Sequence, residues 1–283
     1  MFHGVQFEST DPLGKERGEP GRREGFTPAL VGPYLRQLLA LGLFFGLSIL
    51  YNFAAGLLTF LRLAPRDPAH WQHRILRHFL VWRKLASSLG VVVFDFPEED
   101  KLRSLRGTIV AANHPSLVDA FVLLSALPHA VCIMRSDLLA NPAFSNFSRL
   151  AGYIANDRGK ALVHAGIDRL ARGENLVIFP EGTRSRQGIL NPFKRGFALM
   201  ATRTGTPVQT IIVHHEGEYL TKNFHLFRPS QLPVRLSLRL GKVFTPEGGE
   251  SANDFARRLE AYFRDEVTQS GKGTSSDGRS PQP

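Results

Sequence analysis

The stretch "GTIVAANHPSLVDAFVLLSAL", residues 107–127, decides the architecture. Its first half holds an apolar run of small and β-branched residues, the composition of a strand with both faces covered. A polar turn holding Asn113, His114, Pro115 and Ser116 follows, and then an apolar helical pattern that lasts to Leu127. A buried strand that feeds a polar loop and then a helix belongs to an α/β fold.

The same alternation continues on both sides. Upstream, "VVVFDF" (91–96) reads as a buried strand. Downstream, "AVCIM" (130–134) is a third strand, "PAFSNFSRLAG" (142–152) a helix and "YIAND" (153–157) a short strand. "GKALVHAGIDRLARG" (159–173) is an amphipathic helix, "NLVIF" (175–179) a strand, "KRGFALMATRTG" (194–205) a helix and "PVQTIIVHH" (207–215) a strand. In "VRLSLRLGKVF" (234–244) the apolar residues recur every second position, which marks a half-exposed strand toward a sheet edge. A last helix follows "TPEGGESANDF". Residues 91–267 are therefore expected to form one domain, a mixed, mainly parallel sheet covered by helices. By composition, residues 1–30 and the tail 268–283 are expected to be disordered.

Ahead of this domain, residues 37–61 read "QLLALGLFFGLSILYNFAAGLLTFL" without a charge. As a helix the run reaches roughly 37 Å, enough to cross or enter a hydrocarbon layer of ~30 Å. It begins too late and runs too long for a cleavable signal peptide. Residues 70–90, "HWQHRILRHFLVWRKLASSLG", form a basic amphipathic helix suited to an anionic membrane surface. Residues 31–90 are thus read as a membrane-inserted helix followed by a surface helix. Arg62, Arg66, Arg74, Arg77, Arg83 and Lys84 follow the run with Asp67 the one acid among them, which places the domain on the cytoplasmic side.

The 283 residues carry a net charge of +10, which favours an anionic partner. No zinc-finger spacing or RNA-binding signature accompanies it, so a nucleic acid is not expected. The single cysteine, Cys132, allows no internal disulfide and reads as a small core residue.

Sites in such sheets gather at the carboxyl ends of strands. His114 stands at one such end and Asp119 at the start of the next helix. A carboxylate returning to one imidazole nitrogen fixes the tautomer and leaves the other nitrogen free as a general base. The same spacing also fits a helix cap beside a surface histidine. "FPEGTRSR" (179–186) brings Glu181, Arg184 and Arg186 to the same edge, with Gly182 permitting close backbone approach. Lys194 and Arg195 open a helix, and Arg158 follows the strand in "GYIANDRGKA" (152–161). Basic residues at three strand ends suit a phosphate, although each alone fits a surface salt bridge. Ser116 lacks a G-x-S-x-G elbow and reads as a loop or capping residue. His214 and His215 lack a third ligand at usable spacing, so no metal is expected.

"NHPSLVD" and "FPEGTRS" resemble the first and third sequence blocks of the 1-acylglycerol-3-phosphate acyltransferase family of glycerolipid acyltransferases, "GYIANDRG" the second and "GTPVQTIIV" the fourth. The resemblance covers residues 90–215 and implies that family's fold. It also implies His114 as general base, Asp119 as its orienting partner, and Glu181, Gly182, Thr183 and Arg184 at the acceptor. Arg158 is implied as phosphate contact and Lys194 as a further basic contact. Asn156 stands where the family usually has a bulky apolar residue, and Thr210 replaces a usual proline.

The implied enzyme is a membrane-bound acyltransferase of phospholipid biosynthesis. It moves a fatty acyl group from acyl-CoA or acyl carrier protein, as co-substrate, to the hydroxyl of a lysophospholipid such as 1-acylglycerol-3-phosphate, without another cofactor. The alternatives are another lysolipid acceptor, a thioesterase on the same scaffold, and a catalytically silent binding module.

Overall fold

Apolar residues occupy both faces of Ile109–Ala112, so this segment needs cover on both sides, and the computed structural model of the chain provides it. The structure describes residues 31–185, 189–228 and 230–273. Seven strands, β1 (Val92–Asp95), β2 (Ile109–Ala112), β3 (Ala130–Met134), β4 (Ile154–Ala155), β5 (Asn175–Ile178), β6 (Val208–Glu216) and β7 (Val234–Phe244), form one sheet. Their order is β1-β7-β6-β2-β5-β3-β4, and among these pairs β6 with β7 alone is antiparallel. Val110 and Ala112 of β2 join the core under the helices α1 (Val31–Phe60), α2 (Pro68–Ser88), α4 (Val118–Ala126) and α6 (Ser145–Leu150). Ile109 and Ala111 join the core under α7 (Lys160–Ala171), α8 (Gly196–Thr204) and α9 (Ala252–Gly273). The period of two along the strand thus divides the molecule into three layers. Two short helices, α3 (Glu99–Arg103) and α5 (Ser136–Ala140), complete the described elements.

The strand 234–244 lies toward a sheet edge as expected, whereas the burial of the first strand differs from expectation. β7 lies one strand in from the edge, between β1 and β6, and its alternation reflects one face turned to solvent. The edge belongs to β1, which is half exposed, where a fully buried strand was expected from its unbroken apolar start. Helix α9 continues through residues 268–273, which composition had assigned to the tail. Residues 274–283, Arg186 and the N-terminal segment 1–30 lie outside the described residues.

The long apolar run forms helix α1, but its polar residues act as attachments. Gln37, Ser48 and Asn52 are buried on the face turned to the domain. The Gln37 amide donates to the Arg228 carbonyl at 3.2 Å and accepts from the Ser230 amide at 2.9 Å. Ser48 meets His78 Nε2 of α2 at 2.9 Å. Asn52 Oδ1 accepts from the amides of Asn146 and Phe147, at 2.7 and 3.2 Å, and its Nδ2 donates to the Pro142 carbonyl at 2.6 Å. Those two amides belong to the first turn of α6, whose own N-cap residue, Phe144, supplies no side-chain bond. Asn52 therefore caps α6 from another helix. Between these anchors Phe44 packs on Phe121 of α4 and Trp82 of α2, with ring centroids 4.5 and 5.3 Å apart. The opposite face of α1, including Leu50, Phe53, Leu57 and Phe60, is exposed.

Replacing Asn52 with Leu leaves two helix-terminal amides and a carbonyl without their partner. The variant is expected to lose about 1–3 kcal/mol of stability, measured by denaturant unfolding in detergent. Faster amide exchange at Asn146 and Phe147 should accompany the loss.

Candidate active site

The carboxyl ends of the parallel strands β6, β2, β5, β3 and β4 open on the same edge of the sheet. There β2 is extended by one side chain. Asn113 donates to the Val213 carbonyl at 2.8 Å and accepts from the Val213 amide at 2.7 Å, so its amide group continues the ladder to β6. With the strand end held, His114 comes next and the chain turns toward α4.

Asp119, in the first turn of α4, is fully buried. It accepts from the Ser116 amide at 2.9 Å, the Ser116 hydroxyl at 3.0 Å and His114 Nδ1 at 3.1 Å. A carboxylate offers acceptors only, so this network assigns the hydrogen to Nδ1 and leaves Nε2 as the lone-pair nitrogen. Ser116 Oγ also accepts from the Val118 amide at 3.0 Å, a loop contact just ahead of α4, whose N-cap position is Leu117. The His114 ring stacks on Phe179 from the end of β5, centroids 4.0 Å apart and planes 22° from parallel. Phe179 thus fixes the ring's face while Asp119 fixes its edge.

Glu181 is almost fully buried. Its Oε1 accepts from the His114 amide at 3.2 Å and the Ser185 hydroxyl at 2.6 Å. Its Oε2 accepts from the backbone and side-chain nitrogens of Asn191, both at 2.8 Å. With both oxygens occupied, Glu181 ties three loop segments together beneath the cleft. Gly182 has φ +68, and a Cβ there would lie 2.7 Å from Lys194 Cε. The Lys194 stem therefore runs across this glycine, which needs both its conformational freedom and its lack of a side chain.

Arg184 Nη1 donates to the carbonyls of Leu220 and Thr221, at 2.9 and 2.7 Å. Leu220 also accepts from the Leu117 amide at 3.1 Å, and Thr221 forms a bridge with Ser116. Segment 217–224 is thereby held over the loop between β2 and α4. Burial lowers the pKa of Arg184; the charge of Asp119 opposes this and that of Arg135 adds to it. Arg158 is exposed beyond β4, and Thr183 is half-buried. At ~4.8 Å per strand, β3 and β4 lie roughly 10 and 14 Å from β2 along the edge. Arg135, directly after β3, is thus nearer to His114's strand than Arg158 is. It pairs with Asp137 at 2.7 Å.

His214 and His215 line a cavity of about 210 Å³ beside Asn113 and Ser185. Burial holds the His215 ring below the ordinary imidazole range. Among the described residues no group of three or more His, Cys, Asp or Glu could hold a metal ion. Cys132 is buried in β3, and its thiol is pushed up to about 12 by burial. Of the two departures in the motifs, Thr210 has a structural role: its hydroxyl donates to the Lys242 carbonyl at 2.7 Å beside a register shift between β6 and β7. A proline could not supply that bond.

Sequence reasoning did not single out Arg135, Asn191 or the segment 217–224. The rule that led to Arg158, a basic residue directly after a strand, would have found Arg135. Neither Asn191 nor segment 217–224 carries a local signal, because their partners are 10 residues away for Asn191 and about 36 for Leu220.

A family model described as Acyltransferase matches residues 72–214. The chain is 31% identical over 178 residues to a 1-acyl-sn-glycerol-3-phosphate acyltransferase of Cocos nucifera, a match covering 60% of this chain and 57% of the relative. The chain thus spans little more than half the length of that relative. It is 25% identical over 224 residues to a protein of the same name from Limnanthes douglasii, covering 74% of this chain and 77% of the other. Among solved structures, it resembles the 1-acyl-sn-glycerophosphate (LPA) acyltransferase PlsC of Thermotoga maritima, with a TM-score of 0.65 and 23% identity. That likeness, over 88% of this chain and all of the other, is one of fold.

Replacing Glu181 with Gln turns one acceptor oxygen into a donor that faces another donor. The change is expected to cost about 1–3 kcal/mol, read by chemical denaturation.

Proposed function

We propose, from the premise that the chain belongs to the acyltransferase family, that it transfers a fatty acyl group from a thioester to a lysophospholipid hydroxyl. The observation that carries this reading is the contact between His114 Nδ1 and the buried Asp119 carboxylate, which leaves Nε2 as a base. Nε2 takes the proton of the acceptor hydroxyl as its oxygen attacks the thioester carbonyl. The tetrahedral centre collapses, the carbon–sulfur bond breaks, and the imidazolium returns the proton to the departing thiolate. Asp119 orients the ring and stabilises its cationic form. A thioester is already activated, so no acyl-enzyme is required. The donor is acyl-CoA or acyl carrier protein, and the acceptor is 1-acylglycerol-3-phosphate, the substrate for which the curated relatives are named.

The acceptor phosphate lies along the edge between β5 and β4, with Arg158 as its principal contact and Gly182, Thr183 and Lys194 on the near side. Arg135 is a second basic group within this stretch. Arg184 and Glu181 act mainly by holding the loops. The exposed apolar face of α1 enters the membrane and gives the site access to lipid. The polar anchors Gln37 and Asn52, about 22 Å apart along the helix axis, support a helix lying along the domain in one leaflet. The basic residues after α1 favour the cytoplasmic side.

Transfer assays on the full chain test both the base and the phosphate contact. His114→Ala should lose on the order of 10²–10⁴-fold in transfer rate while its unfolding curve stays close to wild type. Thiol release from wild type should require the acceptor; release without acceptor would mark a hydrolase. Arg158→Ala should lower kcat/KM for a phosphorylated acceptor by roughly ten- to hundredfold and scarcely affect one without phosphate. Arg184→Ala should instead lower both acceptors equally, together with the melting temperature.

A further inference from the structure

On the side of α2 away from the sheet, a groove of about 600 Å³ runs between α1 and α2. Its α2 wall is formed by His70, His73, Arg74, Arg77, His78 and Val81, a stripe recurring every three or four residues and so lying on one helix face. Leu47 and Tyr51 of α1 form the other wall. None of these residues is acidic, and no carboxylate pairs with Arg74 or Arg77 among the described residues. The catalytic residues take no part in it.

The chemistry of the groove is divided. Its centre is cationic: Arg74 Nε donates to His70 Nε2 at 2.7 Å, and the charges of Arg74 and Arg77 act on the Tyr51 hydroxyl. That hydroxyl is shielded from solvent without a hydrogen bond of good geometry, although Tyr51 stacks on His78 with centroids 5.6 Å apart. Burial holds the His78 ring down to about 4, so the ring is neutral and serves as floor, bonded to Ser48. The rim is apolar, with Val81 51% exposed and, next to Tyr51, Leu50 64% exposed. Leu50 belongs to the outward apolar face of α1 that carries Phe53 and Leu57. A ligand suited to this groove needs a compact anion for the arginines and a hydrocarbon part to follow α1.

We propose that the groove between α1 and α2 binds the phosphate headgroup of one net-anionic membrane phospholipid, a lipid that is not consumed. The phosphate is held by the guanidinium groups of Arg74 and Arg77 with His73 beside them, and the chains follow Leu47 and Leu50 along α1. This site rests on the membrane contact of α1 proposed above and adds to it a defined headgroup position apart from the catalytic cleft. Planar guanidinium groups suit phosphate oxygens better than ammonium groups do.

The test is native mass spectrometry of the full chain in a non-ionic detergent with short-chain phosphatidylglycerol or phosphatidylcholine. One phosphatidylglycerol per chain should be retained in preference to phosphatidylcholine. Replacing Arg74→Gln and Arg77→Gln together should weaken retention about tenfold or more, and the corresponding Lys pair should restore part of it. Replacing Arg62→Gln and Arg66→Gln, outside the groove, should leave it unchanged. Equal retention by the Arg74/Arg77 variant, equal retention of phosphatidylcholine, an equal loss in the Arg62/Arg66 control, or displacement by inorganic phosphate would overturn the assignment. Flotation on phosphatidylcholine vesicles reads the α1 contact separately. The Arg74/Arg77 variant should float like wild type; failure of wild type to float would overturn the membrane reading and with it the site, whereas flotation with equal retention by the variant would overturn the headgroup site alone.

Discussion

A carboxylate with no access to water governs the arrangement of this molecule. Asp119 is surrounded by donors that all come from the five residues before it, so the loop between β2 and α4 can close in only one way. Burying an ionisable group without such partners would cost several kcal/mol. The loop is therefore held by its own chemistry, and the His114 ring is positioned as a consequence. Phe179 presses on the ring face and Glu181 binds the His114 backbone amide, so β5 reinforces what β2 and α4 begin.

The parallel sheet makes this convergence possible. Strands β2, β5, β3 and β4 point the same way, and the loops leaving their carboxyl ends meet at one edge. The segment after β6 closes the edge from the other side and serves two attachments. Leu220 accepts from Leu117 and Arg184, and farther along, Arg228 and Ser230 bond the Gln37 side chain of α1. The helix with the exposed apolar face and the loop carrying His114 are thus tied to the same stretch of chain.

Much of the fold was legible in sequence because β2, β3, β5 and the first part of β6 are buried on both faces and leave a dense apolar signature. The exposure of β1 was not legible, because its apolar start reads like that of a covered strand and only pairing places it outermost. The contact between His114 and Asp119 is one of two arrangements that their spacing allowed, the other being a helix cap beside a surface histidine. The loop partners of Glu181 and Arg184 were not legible. Both occupy motif positions that suggest contact with an acceptor, yet their polar atoms meet Asn191, Leu220 and Thr221. Polar residues in an apolar helix were similarly ambiguous. Gln37, Ser48 and Asn52 weaken the case for a crossing helix, and their actual partners lie on α2, around α6 and in the loop before β7.

The state of the His114 ring is the central claim, and its nitrogen chemical shifts report it directly. In the full chain labelled with ¹⁵N at histidine, recorded in detergent where the ring is neutral, His114 should show a protonated Nδ1 and a bare Nε2. Replacing Asp119 with Ala should remove that preference. A ring carrying its hydrogen on Nε2 in the unaltered protein would contradict the assignment of His114 as the base.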